Sequence, residues 1–106
     1  MDRKKINVLK RVRKFLEKVK KTTDIEQTII FGSRITGQAT ESSDVDILII
    51  SRDFENKKSY KRSPKFYLLW NLPYDVDIIC LTPEEFKKKK KQIGIIKQAV
   101  EEGIRL

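Results

Sequence analysis

A Gly-Ser pair followed by two alternate aspartates brings residues for phosphate binding and metal binding close together in the sequence. Gly32-Ser33 precedes Asp44-Val45-Asp46, with ten residues between the two motifs. A glycine and a serine at the start of a helix offer free backbone N–H groups to a phosphate, and two aspartates on one strand face can hold divalent cations against it. Ser33 could instead be a simple helix N-cap, and Arg34 could contact the phosphate or face solvent. The spacing predicts metal-assisted chemistry on a phosphate group.

Asp44 and Asp46 are the first candidate metal ligands. In an extended chain, residues two apart leave the same face, with Cα atoms roughly 6.5 to 7 Å apart. Such a pair suits two Mg²⁺ ions about 3.5 to 4 Å apart, because Mg²⁺ favours oxygen ligands and nucleotide phosphates. The chain has no histidine and one cysteine, so it cannot supply the ligands of a zinc site. Both acids could merely belong to a turn, but two acids heading so apolar a strand would repel each other without a cation.

Asp75 and Asp77 are candidates for a third carboxylate. They would share one face of a later strand, and a neighbouring strand lies about 4.8 Å away. Asp77 is favoured, because isoleucines follow it directly, as apolar residues follow Asp46. There it could bind one metal ion and accept the proton of an attacking hydroxyl. Asp75 lies closer to the turn at Pro73 and is the weaker candidate.

Periodicity along the chain predicts helices and strands in alternation. The predicted elements are, in order, a helix at 2–20, a strand at 27–31, a short helix after Gly32, a strand at 46–51, a helix at 65–71, a strand at 75–81 and a final helix from Thr82. A capping box of Thr82 and Glu85 begins the final helix, which could bend near Gly94 and end at a Gly103 cap. Residues 52–63 show no clear period and are predicted to be a mobile connection.

This order predicts the α/β (α+β) class, with a small mixed β-sheet flanked by helices that pack mainly against one face. The strand at 46–51 is apolar on both faces and should be central. A chain of 106 residues is expected to be a single domain, residues 1–106, without a separate substrate-binding domain. The acceptor of any transferred group would therefore come from another molecule.

The net charge of +9 is unevenly distributed. Residues 1–21 hold ten Lys and Arg against two acids, and residues 57–72 hold five against none. These segments could bind nucleic acid or an acidic partner, but solvated helix faces are favoured, because charge runs alone are weak indications of nucleic-acid binding. Cys80, within an apolar run, is expected to pack in the core. With no apolar stretch of membrane-spanning length and no signal-peptide core at the start, we expect a soluble cytoplasmic protein.

From about residue 26 to the end, the chain resembles the nucleotidyltransferases related to DNA polymerase beta. The resemblance rests on Gly32-Ser33, the ten residues before Asp44-Val45-Asp46, and the later Val76-Asp77-Ile78-Ile79. The short chain resembles the minimal nucleotidyltransferases of archaea and bacteria. The resemblance implies a polymerase beta-like palm fold that binds ATP with two Mg²⁺ ions and transfers a nucleoside monophosphate to a hydroxyl.

The same resemblance implies a role for each motif residue. Gly32, Ser33 and Arg34 would hold the triphosphate, Asp44 and Asp46 would bind both metal ions, and Asp77 would be the third ligand and the base. Many relatives have a small residue and then a basic one after Gly-Ser-Arg, whereas this chain has Ile35 and Thr36.

The resemblance also implies a partner. Minimal members are commonly paired with a small helical HEPN-type toxin, which the nucleotidyltransferase neutralises as the antitoxin and can modify with AMP. The alternative is a non-catalytic antitoxin that binds nucleotide and neutralises its partner by contact. Nucleic-acid binding through the basic first helix is the least favoured hypothesis.

Overall fold

A computed structural model describes residues 3–32, 35 and 44–106, and these residues contain one four-stranded mixed sheet. Its strands are β1 (Gln27–Phe31), β2 (Val45–Ile50), β3 (Val76–Leu81) and β4 (Ile104–Arg105), in the spatial order β3-β2-β1-β4. β2 pairs in parallel with β3 and antiparallel with β1, and β4 adds antiparallel to the other side of β1. The prediction that β2 is central is confirmed.

Four α-helices accompany the sheet in the described residues. They are α1 (Arg3–Lys20), α2 (Pro64–Leu69), α3 (Pro83–Lys89) and α4 (Ile95–Glu102). The capping box at the start of α3 is confirmed, because the Glu85 N–H donates to Thr82 Oγ1 and the Thr82 N–H donates to Glu85 Oε1. None of the described helices is long and apolar enough to cross a membrane.

The helices cover both faces of the sheet, so the expectation that they pack mainly against one face is wrong. On one face, named here face A, the apolar stripe of α1 packs with Phe66 of α2 against Ile30, Ile47 and Ile49. On the opposite face, named face B, Phe86 of α3 and Ile96 of α4 pack against the residues of β1 and β2 that alternate along each strand with the face A residues. The cause is visible in β2, where Ile47, Leu48, Ile49 and Ile50 are all buried and need a cover on each face.

Residues 52–63 are more ordered than their lack of periodicity predicts. They contain two 3₁₀ turns, Arg52–Phe54 and Ser59–Lys61, which hold Phe54 in the face A core and Arg62 in a buried position. Phe54 meets the Phe66 ring edge-on, with centroids 6.0 Å apart. The prediction of a mobile connection is therefore wrong.

The carboxyl-terminal segment also differs from the predicted single bent helix. It is divided into α3 and α4 around Gly94, and Ile93, in the connection between them, is 97% exposed. After Gly103 the chain does not simply end a helix but adds β4 to the sheet edge, where Leu106 N–H donates to the Thr28 carbonyl. A helical period alone does not predict a two-residue strand.

Candidate functional site

The site is built on one row of residues that crosses three strands at one end of the sheet. Phe31 of β1 lies opposite Asp46 of β2, and Asp46 lies opposite Asp77 of β3. Because alternate residues of a strand leave the same face, Asp46 and Asp77 both project from face B. Further along the same face, Leu48, Ile79 and Leu81 pack in the core. Two carboxylates therefore stand beside each other where the apolar core of face B ends.

Gly32 closes this row at the end of β1. Its φ of +101° is a backbone conformation that side chains rarely adopt. A Cβ built on Gly32 would lie 2.7 Å from Asp46 Oδ2 and 2.9 Å from the Asp44 carbonyl oxygen, both closer than a Cβ contact allows. The backbone of Gly32 thus lies directly against the carboxylate of Asp46.

The surroundings of Asp46 disfavour its charged form. Burial, the negative charges of Asp77 and Asp44, and a hydrogen bond with the Asp77 side chain raise the pKa of Asp46 from 3.8 to about 6. Each of these causes disfavours the charged form of Asp46. A divalent cation between the carboxylates would reverse the two electrostatic causes, since it favours ionised oxygens.

The carboxylates of Asp44, Asp46 and Asp77, together named here the acidic row, fit Mg²⁺ when other ligands complete the shell. Asp44, Asp46 and Asp77 offer only oxygen atoms, and Mg²⁺ sites commonly use one or two carboxylates together with substrate phosphates and water. Among the described residues, no group of three or more Asp, Glu, His or Cys side chains is placed to hold a metal ion. Asp44 and Asp77 are exposed at this end of the sheet and Asp46 is half-buried, so a bound nucleotide could reach all three.

The third carboxylate is distinguished by the register of the sheet. Asp77 lies opposite Asp46, whereas Asp75 precedes β3 and uses its backbone carbonyl to accept the Val45 N–H at 2.9 Å. The sheet therefore brings Asp77, not Asp75, next to Asp46. Ser33 and Arg34 lie outside the described residues, as does Thr36.

Ile35 is a core residue in this structure. Its side chain is buried in the face A core, and its N–H donates to the Gly32 carbonyl at 3.0 Å. An apolar residue at this position anchors the turn after β1 to the core. Position 35 therefore packs inside the protein and does not face a phosphate.

The outer edge of β3 carries two side-chain contacts that the sequence did not reveal. The Ile78 N–H donates to Tyr67 Oη at 2.9 Å, and Arg62 Nη1 donates to the Cys80 carbonyl at 3.2 Å. Arg62 also pairs with Glu85 at 2.6 Å, although it is only 7% exposed. No local pattern predicts these contacts, because they join residues 11 and 18 positions apart through tertiary packing.

A polar cleft of about 370 Å³ lies at the opposite end of β3 from the acidic row. It is lined by Arg62, Thr82, Glu85 and Lys88, among others. Its arginine is already engaged by Glu85 and by the carbonyl oxygens of Cys80 and Lys57. This cleft is therefore a structural ion-pair region, and it is separate from the acidic row.

The thiol of Cys80 has the environment expected of a packing residue. It belongs to the face A core, and burial raises its pKa to about 12, against the opposing influence of the Arg62 and Lys65 charges. Thiolate chemistry needs a lowered pKa and an accessible sulfur atom. Neither condition holds at Cys80.

Comparisons with known proteins connect this geometry to one family. Residues 9–106 match the sequence profile described as "Nucleotidyltransferase domain". A Methanocaldococcus jannaschii protein, provisionally named a protein adenylyltransferase, is 30% identical over 86 residues, covering 81% of this chain and 83% of the relative. A crystal structure from Sulfolobus solfataricus, provisionally described as a nucleotidyltransferase, is 27% identical with a TM-score of 0.66, covering 80% of this chain and 76% of that one.

Proposed function

This chain belongs to the nucleotidyltransferase domain family, and we propose that it transfers AMP from ATP to a hydroxyl group on a partner protein. The observation that carries the proposal is the register that sets Asp46 beside Asp77, with the Gly32 backbone against the Asp46 carboxylate. The provisional name of the M. jannaschii relative supports adenylyl transfer to protein.

Each residue of the site has a part in this reaction. Gly32, with Ser33 and Arg34 beyond it, would hold the triphosphate, and Asp44, Asp46 and Asp77 would hold two Mg²⁺ ions. Bound Mg²⁺ would neutralise negative charge on the triphosphate and on the departing pyrophosphate. The partner hydroxyl attacks the α-phosphorus, a new P–O bond forms, and the bond to the β-phosphate breaks. Asp77, at the exposed end of the row, accepts the hydroxyl proton.

The direct test is transfer of label from α-labelled ATP. The chain is incubated with Mg²⁺ and with the product of the neighbouring gene, and the labelled product is identified by mass spectrometry. We expect labelling of the partner that is lost in Asp44→Asn and in Asp77→Asn. Labelling that survives Asp44→Asn unchanged would refute the assignment of the acidic row.

The proposed partner is a small helical HEPN-type toxin, with this chain as its antitoxin. Partner binding is supported by exposed apolar side chains on and beside α2, where Leu68 is 87% exposed and Tyr60 and Tyr67 are also accessible. Lys61 and Lys65 stand among them, so the surface suits a partner with acidic groups around an apolar centre. Leu68→Glu should weaken association, whereas Ile93→Glu, at an equally exposed position on the α3–α4 connection, should not.

The second candidate function is neutralisation of the partner by contact, with nucleotide bound but not transferred. The same exposed surface of α2 favours it, because docking there needs no chemistry. The two functions differ in the behaviour of the double variant Asp44→Asn, Asp46→Asn in cells that express the partner toxin. Full rescue of growth by this variant would favour contact, and loss of rescue would favour adenylyl transfer.

A further inference from the structure

β3 is held on its inner side by β2 and on its outer side by two side chains. The Tyr67 hydroxyl accepts the Ile78 N–H, and the Arg62 guanidinium donates to the Cys80 carbonyl. Residues 78 and 80 are two apart, so their backbone groups point the same way, away from β2. In the described sheet β3 is an edge strand, and these two contacts take the place of a further strand.

The contact from Tyr67 lies one peptide unit from the site. The N–H that Tyr67 binds belongs to the planar peptide group that joins Asp77 to Ile78. Fixing the direction of this N–H fixes the plane, and the plane sets the direction in which the Asp77 side chain leaves the strand. Asp77 is itself exposed, and its register partner Asp46 repels it when both are ionised.

The element that carries Tyr67 is firmly attached to the core. Phe66, the residue before it, is fully buried on face A. At the end of α2, the Trp70 Nε1–H donates to the Tyr74 carbonyl at 2.8 Å, and the Trp70 ring meets Phe15 of α1 edge-on at 5.0 Å. The hydroxyl of Tyr67 is thus fixed relative to α1 and the sheet, although 41% of the residue is exposed.

We infer that Tyr67 is a positioning residue whose hydroxyl fixes the Asp77–Ile78 peptide and thereby keeps the Asp77 carboxylate opposite Asp46. This inference rests on the proposed function of the acidic row. A water molecule could satisfy the Ile78 N–H equally well, but it would not tie the peptide to α2. Groups that orient a ligand typically change metal affinity or activity by 10- to 100-fold when they are removed.

The test is Tyr67→Phe, which removes the hydroxyl and keeps the ring. Binding of Mn²⁺ in the presence of a non-hydrolysable ATP analogue is followed through the electron paramagnetic resonance signal of free Mn²⁺. We expect the dissociation constant for Mn²⁺ to rise about 10-fold. Hydrogen exchange at the Ile78 amide should accelerate, and the Mg²⁺ concentration for half-maximal transfer should rise in parallel with the Mn²⁺ constant.

Two matched variants separate positioning from general destabilisation. Tyr60→Phe removes a hydroxyl from a tyrosine that is 67% exposed, and it should leave Mn²⁺ binding unchanged. Val19→Ala shortens a fully buried side chain of α1, outside both α2 and β3. It should lower thermal stability at least as much as Tyr67→Phe while preserving the affinity for Mn²⁺.

The outcomes distinguish this inference from the proposed function. Weaker Mn²⁺ binding in Tyr67→Phe, with no nucleotide transfer by the wild-type chain, would support the positioning role and refute the catalytic proposal. Unchanged Mn²⁺ binding in Tyr67→Phe, with transfer by the wild type, would overturn the inference and leave the function standing. Equal loss of Mn²⁺ affinity in Val19→Ala would also overturn it, because it would show that general destabilisation causes the loss.

Discussion

The backbone of Gly32 is the point at which the phosphate-binding turn and the acidic row meet. Its φ of +101° excludes most side chains for conformational reasons, and Asp46 Oδ2 occupies the space that a Cβ would need. A residue in this position must therefore be small for two independent reasons. Only the close approach of Asp46 concerns the site; the positive φ does not.

Gly32→Ala should separate these two effects when it is compared with Gly94→Ala. Gly94 also has a positive φ, of +150°, but nothing lies within 4 Å of its would-be Cβ. We expect each variant to lose roughly 1 to 3 kcal/mol of unfolding free energy through backbone strain. Gly32→Ala should in addition lose binding of MgATP, because it displaces the Asp46 carboxylate. Equal MgATP affinity in the two variants, measured by calorimetry, would contradict this account.

The raised pKa of Asp46 gives the metal-free protein a characteristic pH dependence. Folding favours protonated Asp46, so the folded state binds more protons than the unfolded state between the ordinary pKa of 3.8 and the folded value of about 6. The stabilising effect of this proton is present below pH 3.8 and is lost as the pH rises through 6. Asp46→Asn, which cannot ionise, should therefore be increasingly more stable than the wild type as the pH rises across this window.

Urea denaturation at pH 4, 5, 6 and 7, with a metal chelator present, measures this difference. Comparing the variant with the wild type at each pH removes the influence of other groups, notably Glu85. Burial opposes ionisation of Glu85, but hydrogen bonds from Arg62 and Thr82 and the Arg62 charge outweigh it and lower its pKa. A stability difference between Asp46→Asn and wild type that does not change with pH would show that Asp46 ionises normally.

At the scale of the elements, Arg62 ties the connection at residues 52–63 to the edge of β3. Its guanidinium donates hydrogen bonds to Glu85 and to the carbonyl oxygens of Cys80 and Lys57, and only 7% of the residue is exposed. Arg62→Met should lower the unfolding free energy by about 2 to 3 kcal/mol, because hydrogen bonds that involve a charged group are lost inside the protein.

Arg52→Met is the matched control for this prediction. Arg52 pairs with Glu26 at 3.2 Å, but both side chains are largely exposed to solvent. Exposed ion pairs contribute little, so a loss of no more than about 1 kcal/mol is expected. Equal losses in urea denaturation would mean that Arg62 behaves as a surface residue.

Much of this architecture could be predicted from local sequence patterns. The period of two in a strand predicts that Asp44 and Asp46 share a face, and the buried stripe of α1 and the capping box of α3 also follow from short-range spacing. Which strands are neighbours does not follow from spacing, so the facing of Asp46 and Asp77 required the sheet register. Arg62 and Tyr67 were missed for the same reason, since their partners are distant in sequence.

Gly103 shows how a pattern can indicate the correct position for a different reason. A glycine after a helix predicts a left-handed cap, but Gly103 has a φ of −79°. Its would-be Cβ would lie 2.5 Å from the Ala99 carbonyl oxygen and from Ile29 Cγ2. The small residue is therefore required by close packing of α4 on β1.

At the scale of the whole molecule, the exposed basic residues of α1 lie on the side of the sheet opposite the acidic row. α1 packs on face A, and its exposed surface carries Lys10, Arg11, Arg13 and Lys14. Asp46 and Asp77 project from face B. ATP is an anion, so a protein of net charge +9 could bind it weakly on the basic surface of α1 as well as at the site.

Thermal unfolding with MgATP distinguishes binding at the acidic row from electrostatic attraction to the basic surface of α1. At a concentration 100 times the dissociation constant, a ligand adds about 2.7 kcal/mol of stability, which should raise Tm by on the order of 10 °C in a domain of this size. We expect this increase to disappear in Asp44→Asn, Asp46→Asn and to shrink without Mg²⁺. The triple variant Lys10→Gln, Arg13→Gln, Lys14→Gln, which removes three positive charges from the exposed face of α1, should retain it. The opposite pattern would place ATP on face A and separate nucleotide binding from the acidic row.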